Sequence, residues 1–178
     1  MKKLILAFSI FAIATSVNAQ TKPTRFSIGV EAALPMGDFN TAGYKFGIGG
    51  SAQIEHKVAS DLGLTLNAGY ITFSNTVSGD KYHFSEIPVL AGVKYWFSPK
   101  VYAHGQLGAI FNSTKFPSSL GGGTYSSTGF GYSPGVGFLI SNNVDLLIKY
   151  VGNSVSNKNS GYSGGTASTL GARLAISL

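Results

Sequence analysis

Three histidines, His56, His83 and His104, carry the side chains best suited to catalysis or metal binding. No two of them are spaced i, i+2 along one strand, so the sequence predicts no metal site. Ser85 follows His83 by two residues and precedes Glu86, which suggests a Ser-His-acid hydrolase as an alternative. In an alternating strand Glu86 points to the opposite face, so it could not orient the histidine base. We therefore predict no catalytic, cofactor-binding or metal-binding residues.

Seven charged residues fall at alternate positions of strand-like segments, on the more polar of two faces. They are Glu31, Glu55, Glu86, Lys94, Asp145, Lys149 and Arg173. Inside a narrow closed sheet unpaired charges would be costly. We predict a structural network that plugs the interior, in which some of Glu31 and Glu86 neutralise Lys94, Lys149 and Arg173. A charge-lined conducting path is the alternative.

Glycine runs at 121–123 and 164–165 could suggest phosphate-binding loops. Neither run has a following Lys-Ser/Thr pair or a helix, so both are interpreted as flexible outer loops. The surrounding segments 113–127 and 154–167 are rich in Ser, Gly, Asn and Tyr. We expect them to present an adaptable surface to a partner, or to be plain solvated loops. The candidate anchors are Phe116, Tyr125 and Tyr162.

The elements that position these residues are about eight strand-like segments. They lie near 25–34, 43–56, 62–74, 83–97, 101–112, 128–140, 144–153 and 168–178. Their connections alternate between short ones, at 57–61, 98–100 and 141–143, and longer polar ones near 35–42, 75–82, 113–127 and 154–167. This alternation is typical of an up-and-down barrel threaded through a membrane, with turns on one rim and loops on the other.

Each segment has one apolar face and one face of glycine, small polar residues and a few charges. A polar face so rich in glycine is unusual for a surface in water, so we place it inside the barrel and the apolar face in lipid. The third and fifth segments fit less well. Ile71 and Phe73 share the face of Gly69, and Gly105 lies on the lipid side, which suggests a bulge or an early exit from the membrane.

Aromatic side chains cluster at both ends of the strands, as expected for two membrane interfaces, although strands favour aromatic residues in any setting. Beside the long loops lie Tyr44, Phe46, Tyr70, Phe73, Tyr82, Phe84, Phe111, Phe130, Tyr132 and Tyr150. Beside the short turns lie Phe26, Tyr95, Trp96, Phe97 and Tyr102.

The composition limits the remaining function classes. Only 11% of the 178 residues are charged, against about 25% in ordinary soluble domains, while 24 are glycine. The net charge is +6, but the sequence has no run of Lys or Arg residues, which argues against a nucleic-acid partner. Cysteine is absent, which excludes disulfides, thiolate chemistry and a lipid-anchored N-terminal cysteine.

Residues 1–19 have the three-part form of a secretory signal peptide, with cleavage expected after Ala19. The apolar stretch is shorter than the ~20 residues of a spanning helix, which disfavours a membrane anchor. Residues 20–24 would then be a short lead, and 25–178 the barrel.

Near the C-terminus Gly171, Leu174, Ile176 and Leu178 resemble the assembly signal of outer-membrane barrels. The match is partial because Leu170 replaces a polar residue and Leu178 replaces an aromatic one. With the repeated pattern 26–30 and the segment 88–95, the chain resembles the small OmpA-, OmpX- and PorT-like barrels of Bacteroidetes-type bacteria. The resemblance implies residence in the outer membrane and carries over no catalytic residues.

We therefore predict an all-β, eight-stranded antiparallel transmembrane barrel in the cell outer membrane of a Gram-negative bacterium. A non-catalytic structural or surface-interaction role through four outer loops is expected. Its expected partners are outer-membrane lipid, lipopolysaccharide and the barrel assembly machinery, and the protein is expected to be a monomer. The alternatives are a narrow, porin-like pore, a lipid-modifying enzyme and a soluble barrel that binds an apolar ligand.

Overall fold

The computed structural model describes residues 24–77, 80–116, 123–155 and 165–178. They form eight strands and one short helix. In chain order these are β1 (Thr24–Met36), α1 (Asp38–Thr41), β2 (Gly47–Lys57), β3 (Leu62–Val77), β4 (Asp80–Trp96), β5 (Val101–Phe116), β6 (Gly123–Leu139), β7 (Val144–Val155) and β8 (Gly165–Ser177). Within this part of the chain no helix is long and apolar enough to span a membrane.

Each strand pairs antiparallel with the next, and β8 returns to β1 to close the barrel. The closing seam places Glu31 opposite Arg173 and Leu34 opposite Leu170. Closure pairs the backbone groups that an open edge would leave exposed in lipid. The predicted up-and-down barrel is confirmed.

The three short turns follow one hydrogen-bonding pattern. The backbone N–H groups of Val58, Phe97 and Ile140 each donate to the carbonyl oxygen four residues further on. The turns therefore end where the sequence predicts, and all three lie on the same rim.

The opposite rim differs from the prediction. Most of the expected connections 75–82 and 113–127 is strand, because β3 runs to Val77, β4 starts at Asp80, β5 runs to Phe116 and β6 starts at Gly123. In the second hairpin Ser113 pairs with Ser126, and Lys115 pairs with Thr124. The polar composition of these two segments predicts loops. Cross-strand pairing nevertheless continues through them, because the hairpins extend beyond the apolar belt of the barrel.

Side-chain exposure follows the predicted division into faces. Val30, Ile48 and Val136 are 64%, 62% and 57% exposed, whereas Arg173 and Lys94 are 1% and 2% exposed. The sheet is therefore inside out relative to a soluble barrel, with its apolar face turned to lipid.

Inward glycines make room for large inward side chains on the neighbouring strand. A Cβ at Gly47 would collide with the Phe73 ring, and one at Gly137 with the Tyr102 ring. Each pair lies directly opposite in the register. The glycine-rich face thus fits an eight-stranded lumen that is filled by side chains.

β3 and β5, whose residues fit the predicted division into faces less well, are regular strands. The pairing of β3 with β2 runs without a bulge through Ile71 and Phe73, whose side chains point inward and are buried. Gly105 faces outward, where an added Cβ would meet nothing within 4 Å. The expected bulge is wrong: the outer part of the lumen is apolar, so large apolar residues belong on the inward face of β3. The alternative, an early exit of these strands from the membrane, stays a prediction.

Candidate functional site: the lumen and its two mouths

The inward side chains of β4 show the layers that fill the lumen. From the loop rim to the turn rim they are Phe84, Glu86, Pro88, Leu90, Gly92, Lys94 and Trp96. An aromatic layer is followed by a carboxylate, an apolar layer and a charged layer. Side chains of the other strands join each of these layers.

Nearest the turns, Lys94 Nζ lies 2.7 Å from Glu55 Oε2. The Trp96 indole N–H donates to Glu55 Oε1 at 3.3 Å. The Lys94 ammonium also lies 4.3 Å from the centroid of the Tyr102 ring, a cation–π contact. The buried lysine is thus neutralised by a carboxylate and surrounded by aromatic rings.

The centre of the lumen is organised around Glu31. Its carboxylate lies 2.9 Å from Lys149 Nζ and 3.7 Å from Arg173 Nε, and it accepts a hydrogen bond from Ser51 at 2.7 Å. Arg173 Nη1 lies 4.0 Å from Asp145 Oδ1, and the Tyr102 hydroxyl donates to the same oxygen at 3.0 Å. Two cations and two carboxylates therefore form one buried cluster that crosses the barrel.

Six of the seven charged residues named from the sequence lie in these ion pairs, with Glu55 as the partner of Lys94. Glu86 does not join them. Among the described residues it has no basic nitrogen within 4.0 Å, and it accepts instead from Asn153 Nδ2 at 2.9 Å. Asn153 Nδ2 also donates to Asn112 at 2.8 Å. Of the two carboxylates expected to neutralise the cations, Glu31 pairs with Lys149 and Arg173, whereas buried Leu90, Ile110 and Val151 separate the layer of Glu86 from these cations.

The outer mouth is closed by an aromatic cluster that the sequence analysis did not predict. The Phe39 ring of α1 lies 4.8 Å from that of Tyr44, 5.0 Å from Phe73 and 5.1 Å from Phe84, measured between centroids. Ile71 and Ala33 complete the buried cluster. We call Phe39, Tyr44, Ile71, Phe73 and Phe84 the aromatic plug.

The plug also corrects two assignments. Residues 43–46 are not strand, and Tyr44 lies inside the mouth rather than in lipid. Burial, and to a lesser extent Tyr82, raises the pKa of the Tyr44 hydroxyl above its ordinary value. Positive φ angles at Gly37 (55°) and Gly43 (91°) reverse the chain on either side of α1. Two features of the sequence could have indicated the plug. Two glycines flank Asp38-Phe39, and the large apolar residues Ile71 and Phe73 lie on an otherwise polar strand face.

The three histidines belong to no group of side chains that could hold a metal ion among the described residues. His104 is buried in the lumen with Nε2 3.0 Å from Thr65 Oγ1. His56 contacts Thr24 at the turn rim, and His83 contacts Ser74 at the loop rim. The Ser85 hydroxyl lies 2.9 Å from the Tyr70 hydroxyl and has no hydrogen bond to His83 within the described chain. The candidate Ser-His grouping is therefore not assembled.

Three of the four residues named for assembly lie on β8, and Leu178 follows it directly. Gly171 is buried on the lumen side, while Leu174, Ile176 and Leu178 face outward. The predicted leader, residues 1–19, and residues 20–23 of the predicted lead lie outside the described residues, as do most of 154–167 and with it Tyr162; Thr24, the last residue of the predicted lead, is the first residue of β1. Nothing is described of the Phe116 side chain, whereas Tyr125 is 45% exposed on the outer part of β6.

A closed eight-stranded barrel with an apolar outer face and a filled lumen is a small integral outer-membrane barrel. The chain belongs to the family described as "Outer membrane protein beta-barrel domain", whose model matches residues 4–175. The family and the fold place the protein in the cell outer membrane. The finer Bacteroidetes-type grouping remains a prediction.

Solved structures show the same fold. Ail, the attachment invasion locus protein of Yersinia pestis, has a TM-score of 0.60 at 21% identity, covering 88% of this chain and 100% of Ail. Neisserial surface protein A has a TM-score of 0.62 at 16% identity, covering 88% and 99%. The N-terminal barrel of Pseudomonas aeruginosa OprF has a TM-score of 0.57 at 15% identity, covering 88% and 100%. No curated protein matches the chain.

Proposed function

We propose that this protein is a non-catalytic, non-conducting barrel that acts through its outer ends. One observation carries the proposal: within the described residues the lumen is filled in successive layers, from the Lys94–Glu55 pair at the turns to the aromatic plug at the loops. A solute on the axis would have to displace packed rings and separate buried ion pairs, and separating such a pair is strongly unfavourable.

Conductance of the purified protein in planar bilayers tests this proposal. We expect no stable current steps from the wild-type barrel. The variant Phe39→Ala, Phe84→Ala, which thins the outer plug, should also be silent because the ion pairs of Glu31 still fill the centre. Regular steps from the wild-type protein would instead favour the narrow pore.

The surface available for interaction is the outer part of the β3–β4 and β5–β6 hairpins. Its outward face carries Ser74, Ser85, Ser113, Ser126 and Thr128, above the lipid-facing apolar residues. Hydroxyl groups at this height suit the sugar and phosphate groups of the outer leaflet. The structure contains a groove of about 500 Å³ here, lined among others by Tyr70, Phe111 and Lys115. We infer that lipopolysaccharide contacts this groove.

Lipopolysaccharide retained during mild extraction gives a direct measurement. Lys115→Gln should lower the amount retained, because Lys115 is the basic residue of the groove. Lys45→Gln is the matched control, since Lys45 is also exposed but lies outside the groove. Equal retention by both variants would argue against the groove.

The orientation of the barrel can be tested with single cysteines because the chain has none. We expect Thr124→Cys, at an exposed position of β6 outside the groove, to react with a membrane-impermeant maleimide on intact cells. Ser141→Cys, in the exposed β6–β7 turn, should react only after the outer membrane is permeabilised. The reverse pattern would place the turns outside.

Export and assembly are proposals of the same kind. We infer that residues 1–19 are removed, so the mature protein extracted from membranes should begin at Gln20. Intact mass measures this directly, and retention of the leader would contradict it.

Replacing Leu174 and Ile176 by serine should lower the amount of assembled barrel, measured as heat-modifiable gel migration. Unchanged assembly would argue against the terminal signal.

A further inference from the structure

The turn-side mouth contains a cavity that the lumen network and the outer surface do not use. Its volume is about 420 Å³, and its lining includes Arg25, Lys57, Asp61, Trp96 and Asn142. Arg25, Lys57 and Trp96 lie on the inward faces of their strands, in step with Ser27, Glu55 and Lys94. The cavity therefore lies on the barrel axis and opens toward the periplasm, the side on which short turns lie in this class of barrel.

Two cations face this cavity without a carboxylate partner. Neither Arg25 nor Lys57 has an acidic oxygen within 4.0 Å in the described part of the chain. Glu55, the register partner of Arg25, is occupied by Lys94 and by the Trp96 N–H. Asp61 is the one acidic side chain in the lining, so the mouth carries an excess of positive charge.

The floor of the cavity holds its shape. The Trp96 ring is fixed by its hydrogen bond to Glu55, its centroid lies 4.7 Å from that of Tyr102, and the Lys57 ammonium lies 5.5 Å from the Trp96 centroid. A ligand anion could approach Lys57 without moving the ring. Arg25 adds a planar fork of donors that matches a carboxylate.

We propose that this mouth binds a carboxylate of a soluble acidic peptide from the periplasm. The cavity is much larger than a free ion, and Ser60, Ser98 and Asn142 around it offer partners for peptide amides. A lipid phosphate offers similar oxygens, but lipid headgroups surround the barrel and would have to bend over the rim to reach its axis. The proposal is independent of the role assigned to the outer loops.

Trp96 is the single tryptophan of the chain, so its fluorescence reports on this site alone. We would titrate the protein in phosphatidylcholine nanodiscs with N-acetyl-Glu-Ala. The expected result is a saturable change in emission that the neutral analogue N-acetyl-Gln-Ala-amide does not produce. Absence of a saturable change, or an equal response to both peptides, would overturn the proposal.

Variants separate this site from general charge effects. Arg25→Gln should weaken the apparent affinity about tenfold, because a charge-assisted hydrogen bond is lost. Lys100→Gln is the matched control: Lys100 is exposed on the same rim and does not line the cavity. An equal loss in both variants would overturn the site. Heat-modifiable migration confirms folding of each variant, and Arg25→Lys should recover part of the affinity.

Two further titrations distinguish the source of the anion. Inorganic phosphate should bind more weakly than the peptide, and nanodiscs that contain phosphatidylglycerol should leave the peptide response unchanged. Tighter binding of phosphate, or loss of the response in phosphatidylglycerol, would assign the site to a lipid phosphate and overturn the peptide proposal.

Discussion

The two halves of the lumen are closed by opposite kinds of interaction. Toward the turns, Lys94, Lys149 and Arg173 are held by carboxylates and are almost fully buried. Toward the loops, the Phe39 and Phe84 rings pack in the mouth with no ionic contact among the described residues. Side chains fill both halves, but we expect the two halves to respond differently to substitution.

The difference lies in what a substitution leaves behind. Removing one member of a buried ion pair leaves an uncompensated charge, which costs several kcal/mol. Removing a ring from the outer mouth leaves a space next to the outside that water can fill. We therefore expect the charged half to determine barrel stability and the aromatic half to determine access from the outside.

The largest effect is expected for Arg173→Met. The substitution leaves Asp145 buried with Tyr102 as its remaining hydrogen-bond donor, and it removes one of the two cations beside Glu31. We expect a loss of about 3–5 kcal/mol in the free energy of unfolding. Urea unfolding in detergent, followed by heat-modifiable migration, measures it.

Lys45→Met is the matched control, because Lys45 is exposed and forms no salt bridge with a described residue. It should change stability by less than about 0.5 kcal/mol. If Arg173→Met and Lys45→Met were equally stable, the lumen network would not stabilise the barrel.

The next prediction separates charge pairing from packing in the turn-side half. Lys94→Met alone should cost about 3–5 kcal/mol, since Glu55 then lacks a cation. Adding Glu55→Leu removes the orphaned charge and should restore stability to within about 1 kcal/mol of the wild type. The double-mutant cycle is measured by urea unfolding. A double variant less stable than Lys94→Met would show that the pair contributes more than mutual neutralisation.

A smaller effect is expected where glycine faces a large ring. Gly137→Val places side-chain atoms against the Tyr102 ring and should cost about 1–3 kcal/mol through overpacking. Gly105→Val is the control, since Gly105 faces outward with open space around it. Urea midpoints compare the two variants. Equal midpoints would mean that the barrel wall moves to accommodate the added side chain.

Much of the barrel could be predicted from the sequence because the physical signal is local. Alternation between apolar and glycine-rich positions fixes which face meets lipid, and it correctly turned Glu31, Lys149 and Arg173 inward. Strand number and closure followed from the spacing of the turns. The alternation of faces and the spacing of turns recur in every strand and hairpin, so one misinterpreted residue does not change the prediction.

The specific partners could not be predicted because they depend on the stagger of the strands. Glu86 and Lys94 lie on the same face of β4, but the barrel places a layer of apolar side chains between them. Glu55 meets Lys94 although β3 separates their strands. The aromatic plug was missed for a related reason, since Phe39 lies on a four-residue helix that only tertiary packing keeps in the mouth.

The smallest change in stability, and the clearest test of the contrast between the halves, is expected for Phe39→Ala. Phe39 lies on a loop between two left-handed glycines, so the loop can leave the mouth while β3 and β4 remain paired. We expect a loss of about 1 kcal/mol or less, below the 3–5 kcal/mol of a ring removed from a rigid core. Cleavage within residues 37–43 by added protease should be faster than in the wild type. Phe97→Ala, at the exposed turn rim, is the control and should leave that cleavage unchanged. If Phe39→Ala instead destabilised the barrel as much as Arg173→Met, the plug would be part of the stabilising core, and the division of the lumen into a stabilising half and a gating half would be wrong.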